Sequence, residues 1–217
     1  MNFEQARFNM IEQQIRPWEV LDQRVLDQIG EVPREEFVPQ RFRKLAFSDT
    51  QIPLAHSQVM MAPKLEARMV QALRLQPDDT TLEIGTGSGY VTALLARLSK
   101  RVLSIEIYAD LTQSAAEKLA RLSLSNVSLI TADGMRGWEK GIPYDAIAVT
   151  GSVPLFSEHF QRQLKLGGRL FLIVGQTPIM EARLSTRLGE NEWCSEPLFE
   201  TDVPPLVGAP TPERFVF

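Results

Sequence analysis

The chain has 217 residues, of which 44% are hydrophobic and 23% are charged, with a net charge of −4. This composition is typical of a soluble globular protein, and the acidic balance argues against a nucleic-acid partner. A single cysteine, Cys194, excludes an internal disulfide framework, and we expect a buried or half-buried thiol there. No run of about 18 apolar residues predicts a membrane helix, and the first residues lack a signal-peptide core. We therefore expect a cytoplasmic protein with no membrane partner.

The first 75 residues predict a mostly helical segment. Apolar residues at helical spacing indicate a helix over 2–14 that Pro17 ends, and another over 22–29 that ends at Gly30. Pro63 suits the first position of a further helix. Its buried side is expected to carry Leu65, Met69, Val70 and Leu73.

A glycine-rich turn follows this segment. Residues 80–84 predict a short buried strand, and Gly85, Gly87 and Gly89 come next at alternate positions. From 91 to 98 the apolar residues return to helical spacing. Glycine allows positive φ angles and lets a ligand approach the backbone closely. A strand, this turn and a helix N-terminus together predict a nucleotide-binding corner.

The spacing of these glycines separates two classes of nucleotide site. A dinucleotide-binding turn has a glycine where this chain has Tyr90. The form present, Glu-x-Gly-x-Gly-x-Gly from Glu83 to Gly89 and including Thr86, resembles motif I of class I S-adenosylmethionine (SAM) methyltransferases. In such a site Glu83 accepts hydrogen bonds or offsets the positive charge of SAM. The alternative is a turn that only joins a strand to a helix.

The next predicted strand, over 101–106, ends in Glu106. An acid at the end of the second strand of a βαβ unit can accept hydrogen bonds from both ribose hydroxyls, which is the role expected here. Ile107 or Tyr108 can cover one face of the adenine. A helix over 111–122 and a strand over 126–131 are expected to follow.

Further segments are similar to one methyltransferase family over most of the chain, ending near 205–208. They are VPREEFVP at 32–39, AFSDTQIPL at 46–54, SQVMMAP at 57–63, Asp133-Gly134, Gly137-Trp138 and QLKLGGRL at 163–170. Together with motif I, these segments resemble the protein-L-isoaspartate O-methyltransferases.

The resemblance implies SAM as methyl donor, S-adenosylhomocysteine as product, and an isoaspartyl peptide or protein as acceptor. It implies an adenine-binding corner at Asp133, Gly134 and Met135, where the carboxylate accepts a hydrogen bond from the adenine amino group. Thr150 and Ser152, in the loop expected after a strand over 144–149, become candidates to contact the acceptor. The remaining cofactor contacts are expected from Gln58, Val59, Met60 and Met61.

One departure from the family pattern concerns the acceptor. The family's Thr-Ile-Ser is replaced here by Val59, Met60 and Met61, and its serine is treated as an active-site residue. None of these three side chains carries a hydroxyl to bind or position a carboxylate. His56 and Ser57 lie beside this gap and can supply polar groups. The sequence therefore assigns no catalytic residue.

The remaining elements complete a sheet. A helix over 156–164, a strand over 169–174 and a hairpin beyond residue 180 are expected. The segment 203–208 resembles a loop that closes over the SAM and acceptor pocket, and the apolar end 214–217 suggests packing on the domain or a dimer contact. The two histidines are far apart in sequence and form no metal-binding cluster.

These patterns predict one α/β domain over 1–217 with a doubly wound, Rossmann-like sheet. A helical extension (1–75) precedes the SAM-binding core (76–217). Three functions fit the sequence: an O-methyltransferase for isoaspartyl residues, a SAM methyltransferase for another acceptor such as a small molecule, and a SAM-binding protein without catalysis. The acceptor and the oligomeric state stay open.

Overall fold

The computed structural model describes residues 2–141 and 143–210, which form an α/β fold around a seven-stranded sheet. The helices are α1 Phe3–Met10, α2 Gln23–Glu31, α3 Arg34–Phe37, α4 Pro63–Ala72, α5 Tyr90–Leu98, α6 Ala109–Arg121 and α7 Glu158–Arg162. The strands are β1 Ile52–Pro53, β2 Val59–Met60, β3 Thr80–Ile84, β4 Arg101–Glu106, β5 Val127–Thr131, β6 Tyr144–Val153, β7 Leu164–Gln176, β8 Ile179–Gly189 and β9 Glu192–Thr201.

The order of strands in the large sheet is β5-β4-β3-β6-β7-β8-β9. Strands β3 to β7 pair in parallel, and β8 and β9 add an antiparallel hairpin, as predicted. The chain runs outward from β3 to β5 and then returns to place β6 on the other side of β3. In such a sheet a crevice opens at the carboxyl ends of the strands where the order reverses, and ligands bind there.

Both faces of the sheet are covered by apolar side chains. On one face, Met10, Ile29 and Phe37 from the N-terminal segment share a buried cluster with Leu94 of α5. On the other, Phe160 packs into a second cluster. The N-terminal segment is mostly helical, as expected, and also contains the small β1–β2 sheet. Its common core with α5 supports the proposal of a single domain.

Several boundaries differ from the predicted ones. Helix α1 continues as a π-helical segment, Ile11–Ile15, and a 3-10 turn, Arg16–Trp18, so that Pro17 lies inside the last turn instead of ending the helix. Gly30 lies within α2. Helix α7 is shorter than predicted because β7 already begins at Leu164, which pairs with Tyr144.

Strand β6 continues through the predicted loop 150–153. After a register shift, Ser152 pairs with Ile173 of β7, and its backbone also bonds to Pro204 and Leu206 on the other side. These pairings keep the segment extended. Cys194, on β9, is exposed and not buried as expected.

No helix in the described parts of the chain is long and apolar enough to cross a membrane. Across residues 2–141 and 143–210, no group of three or more His, Cys, Asp or Glu side chains can hold a metal ion. The predicted apolar end 214–217 lies outside the described residues.

Candidate active site

A cavity opens at the carboxyl ends of β3, β4 and β6 and contains about 830 Å³ of empty space, part of it open to solvent. It lies at the point where the strand order reverses. The predicted cofactor residues that line it are Gln58, Val59, Met60, Met61, Gly85, Thr86, Gly87, Glu106, Ile107, Asp133, Gly134, Met135 and Thr150. The structure therefore brings together residues from five separate segments of the chain. Glu83 and Gly89 are not in this lining.

The glycine turn forms the floor of the cavity. Gly85 has a φ of 94°, and a Cβ at that position would lie 2.3 Å from Oγ1 of Thr150. That hydroxyl donates to the carbonyl of Gly85, 2.6 Å away, and also lies 2.9 Å from the carbonyl oxygen of Ile84. The ends of β3 and β6 are thus fixed together, and only glycine fits at this point. Thr150 lines the cavity, but its proton is used within the protein.

Glu106 is held rigidly at the end of β4. Its Oε2 accepts from the N–H of Gly87 at 2.8 Å, and its Oε1 accepts from the N–H of Tyr108 at 3.1 Å. Each carboxylate oxygen has a second lone pair for a further donor. Glu106 can therefore hold ribose hydroxyls, which is the role expected from the sequence. Ile107 beside it is 38% exposed and lines the cavity, whereas Tyr108 does not.

Asp133 follows β5 at the next strand end. Its Oδ1 accepts from the N–H of Met135 at 2.8 Å, which fixes the turn and leaves Oδ2 directed to other donors. The intervening Gly134 is packed closely, since a Cβ there would lie 3.0 Å from Ile84. This corner offers a carboxylate oxygen that can accept from the adenine amino group and a methionine side chain that can pack on the ring.

Glu83 is fully buried behind the turn. Its Oε2 accepts from the hydroxyls of Thr92 and Ser104, both at 2.5 Å, and burial raises the pKa of this carboxyl to about 8. Burial therefore disfavours the charged form of this carboxyl. The expected role of offsetting the charge of SAM does not fit this position, and Glu83 instead joins β3, β4 and α5. Ser104 extends the network to the cavity through Thr86, whose Oγ1 is 2.5 Å from its Oγ.

Gly89 is the N-cap residue of α5, and its lack of a side chain allows close packing around the turn. Its φ is 85°, and a Cβ there would lie 3.0 Å from the Cβ of Ala115 and 3.6 Å from the ring of Phe37. The third glycine of the motif therefore allows α3 and α6 to approach the turn closely.

Sequence reasoning missed a residue that shapes the cavity wall. Arg34, fully buried, donates to Oε2 of Glu66 at 2.9 Å, to the carbonyl of Met61 at 2.6 Å and to the carbonyl of Ala46. Burial raises the pKa of Glu66 to about 7, against the opposing effect of Arg34. The sequence signal that could have identified Arg34 is its place within 32–39, one of the segments that resemble the family.

The wall beside Arg34 is apolar, as predicted from the sequence. Met60 and Met61 are 3% and 4% exposed, and Val59 is half-buried. On the opposite side, the segment 204–207 lines the cavity, as the resemblance implied. Ser152 is fully buried, and its hydroxyl donates to the carbonyl of Val203 at 3.0 Å. It therefore holds this segment, and the expectation that it contacts the acceptor was wrong.

The residues fit SAM. Two carboxylates lie at the ends of neighbouring parallel strands, as a ribose and an adenine require, and the glycine turn admits a ligand against the backbone. The methionine-lined wall accommodates an irregular apolar surface next to them.

The family model of protein-L-isoaspartate(D-aspartate) O-methyltransferase matches residues 5–208, almost the whole chain. The chain belongs to this family. It is therefore an O-methyltransferase that uses SAM, as the resemblance implied.

Two relatives illustrate the membership. A protein-L-isoaspartate O-methyltransferase of Rhodopseudomonas palustris is 43% identical over 201 residues, 92% of each chain. A second one, from Pelobacter propionicus, is 39% identical over 209 residues, 96% of this chain and 93% of its own.

Solved structures confirm the fold. A Plasmodium falciparum protein described as a protein-L-isoaspartate O-methyltransferase, in complex with S-adenosyl-L-homocysteine, superposes with a TM-score of 0.78 at 20% identity, covering 95% of this chain and 98% of its own. Another protein-L-isoaspartate O-methyltransferase gives a TM-score of 0.79 at 24% identity, covering 94% of this chain and 66% of its own.

Proposed function

We propose that this enzyme methylates the free carboxylate of isoaspartyl residues in damaged peptides and proteins. The observation that carries the proposal is the family match over residues 5–208, which includes every segment of the cavity. The curated relatives at about 40% identity are named for the same activity.

We propose as cofactor residues those that line the cavity. Glu106 and Asp133 hold the ribose and the adenine, and Gly85 and Gly87 let the ligand approach the backbone of the turn. When bound, SAM supplies a methyl group on a sulfonium that a nucleophilic oxygen can take. Glu83 takes no direct part, because it is fully buried and lies outside the cavity lining.

The chain contributes positioning more than acid–base chemistry. A carboxyl group with an ordinary pKa near 3.9 is ionised at neutral pH, so no general base is required to activate it. Orienting the acceptor in the cavity lowers the barrier by removing the entropy cost of a bimolecular encounter. The apolar side chains of Met60, Met61 and Leu206 keep water away from the point of transfer.

A second candidate is a different acceptor on the same fold. It is favoured by the wall at 59–61, where Val59, Met60 and Met61 present no hydroxyl to a carboxylate. An acceptor with an apolar group beside its nucleophilic atom would suit this wall better than the carboxylate of an isoaspartyl residue.

Transfer of labelled methyl to an isoaspartyl peptide, against the same peptide with normal aspartate, tests the proposal. An established family member serves as the positive control, and calorimetry measures SAM binding separately. We expect transfer to the isoaspartyl peptide alone. No transfer despite normal SAM binding would contradict the isoaspartyl acceptor and favour another acceptor or a binding role.

A further inference from the structure

The loop that joins β1 to β2, Leu54 to Gln58, forms a strap across one side of the SAM cavity. On its inner side Gln58 and the following Val59 line that cavity. On its outer side Leu54 and Ala55 line a second cleft, which contains about 1180 Å³ of empty space, part of it open to solvent. The strap is thus a thin partition with room behind it.

The tip of the strap is attached to the end of β4 by His56. The imidazole ring stacks on the ring of Tyr108 with centroids 3.9 Å apart and an angle of 6° between the planes. Its Nε2 lies 2.9 Å from both carboxylate oxygens of Asp110, at the start of α6. The hydrogen bond from His56 lowers the pKa of Asp110.

This attachment leads directly to the cofactor residues. The N–H of Tyr108 donates to Oε1 of Glu106, whose other oxygen holds the N–H of Gly87. Within the strap, the side-chain amide of Gln58, which lines the cavity, donates to the carbonyl of His56 at 3.1 Å. His56 therefore links the strap, through Tyr108, to Glu106 and the glycine turn.

The tip of the strap has a strained backbone. His56 and Ser57 have φ angles of 55° and 57°, so two consecutive residues with side chains occupy the left-handed region. Each costs about 1–2 kcal/mol relative to an ordinary conformation. Backbone hydrogen bonds between Leu54 and Gln58 and between Gln58 and Ala55 close the turn itself. The contacts that fix its tip against β4 and α6 come from Tyr108 and Asp110.

We infer that His56 is a positioning residue for the cofactor: it fastens the strap to the end of β4 and thereby closes the cavity around SAM. The inference rests on the SAM site proposed above and does not depend on the identity of the acceptor. Release of His56 would let the strap move into the cleft behind it and open the cavity beside Glu106.

Nuclear magnetic resonance tests the contact in the free protein, since the chain has two histidines, His56 and His159. His159 is exposed on α7 and is not part of the cavity lining, so His159→Ala assigns the remaining signal to His56. We expect the ring protons of His56 to be shifted upfield by the Tyr108 ring, and this shift to disappear in Tyr108→Leu. An unshifted His56 ring in the folded wild type would overturn the inference.

Stopped-flow measurement of SAM dissociation tests the consequence. We expect His56→Ala to increase the dissociation rate and the dissociation constant about tenfold or more, with kcat at saturating SAM nearly unchanged, whereas His159→Ala behaves as wild type. His56→Gln, which keeps a hydrogen bond to Asp110 and loses the stack, should lie between the two. If His56→Ala loses the native circular dichroism spectrum, the SAM dissociation rates of Tyr108→Leu and His56→Gln are compared with that of the wild type instead.

The outcomes separate this inference from the proposed acceptor. Equal SAM dissociation rates in the wild type and in folded variants of His56 and Tyr108 would overturn the role of His56, whatever the acceptor. Faster dissociation in these variants supports it even where no methyl reaches an isoaspartyl peptide. A wild-type protein that does not bind SAM would overturn both.

Discussion

The guanidinium of Arg34 donates a hydrogen bond of 2.6 Å to the main-chain carbonyl of Met61, 27 residues further along the chain. The same side chain pairs with Glu66 of α4 at 2.9 Å and faces the ring of Tyr90. Arg34 therefore connects the N-terminal segment to the cavity wall and to the helix that follows the glycine turn. The wall at 59–61 is therefore held by an arginine that also forms a buried ion pair.

Replacing Arg34 should destabilise the fold strongly. We expect Arg34→Met to lower the free energy of unfolding by about 3–5 kcal/mol, because it leaves Glu66 buried without its partner and the carbonyl of Met61 without its donor. Urea denaturation measures this loss. Arg162→Met is the control, since Arg162 and Glu158 are 69% and 62% exposed and should contribute less than about 1 kcal/mol. Similar small losses in both variants would contradict the role of Arg34.

The buried Glu83 should give the protein a distinct pH dependence. Burial raises its pKa from 4.5 to about 8, so between these pH values the native state holds a proton that the unfolded chain has lost. The free energy of unfolding should therefore fall as pH rises through this window, by at most about 1.4 kcal/mol per pH unit for one proton. Above it, this contribution becomes constant.

Glu83→Gln removes that titration while keeping the shape of the side chain. We expect a shallower decline in stability for the variant than for the wild type between about pH 5 and pH 8, measured by urea denaturation at each pH. Glu66, whose pKa is also raised by burial, is present in both proteins and cancels in the comparison. Parallel profiles would show that Glu83 is ionised in the native state.

Local patterns were sufficient to predict the strand, the glycine turn and the helix that border the cavity. The β3 strand, the glycine turn and α5 follow one another in the sequence, and the carboxyl ends of parallel strands meet at one edge. Glu106 could be proposed for that reason, since it ends β4, whereas Asp133, just beyond β5, was proposed from the family resemblance. The family resemblance then added the wall at 58–61, which lies too far away in sequence for spacing to indicate.

Sequence patterns could not show which polar side chains turn inward. Glu83 is buried because Thr92 and Ser104, from two other elements, supply its donors. Ser152 is buried because the segment after β9 pairs with the end of β6. Both outcomes depend on contacts between distant parts of the chain, and so does the Arg34–Met61 bond.

Substitution of Glu106 should weaken SAM binding without unfolding the protein. In Glu106→Gln one carboxylate oxygen becomes an amide nitrogen, so either the N–H of Gly87 or the N–H of Tyr108 loses its acceptor, and so does a ribose hydroxyl. Hydrogen bonds to a charged group contribute about 1.5–3 kcal/mol, so we expect the SAM dissociation constant to rise about 10- to 100-fold by calorimetry. Glu117→Gln, an exposed change on α6, should leave it unaltered. An unchanged affinity in Glu106→Gln would remove Glu106 from the site.

The third glycine of the motif should affect stability and not the cofactor. Gly89→Ala places a methyl group 3.0 Å from Ala115 at a φ of 85°, so we expect a loss of more than about 1 kcal/mol in thermal or urea denaturation. Gly167→Ala has a similar φ of 77° and no atom within 4 Å of the added Cβ, and it isolates the cost of the backbone angle. The folded Gly89→Ala protein should bind SAM normally, because Gly89 is outside the cavity lining. Equal losses in the two variants would show that packing against α6 contributes nothing.

A hydroxyl restored to the wall at 59–61 should separate the two candidate acceptors. Val59 is half-buried at the cavity and Val59→Thr keeps its shape, so the variant adds a donor without opening a void. If the acceptor is an isoaspartyl carboxylate, we expect kcat/KM for the isoaspartyl peptide to rise by about tenfold or more, since one hydrogen bond to a charged group contributes about 1.5–3 kcal/mol. The SAM dissociation constant should not change. Val91→Thr places a hydroxyl on the α5 side of the same cavity and should give no such gain. An unaltered or reduced kcat/KM in Val59→Thr would mean that this wall is built for an acceptor with an apolar group beside its nucleophile.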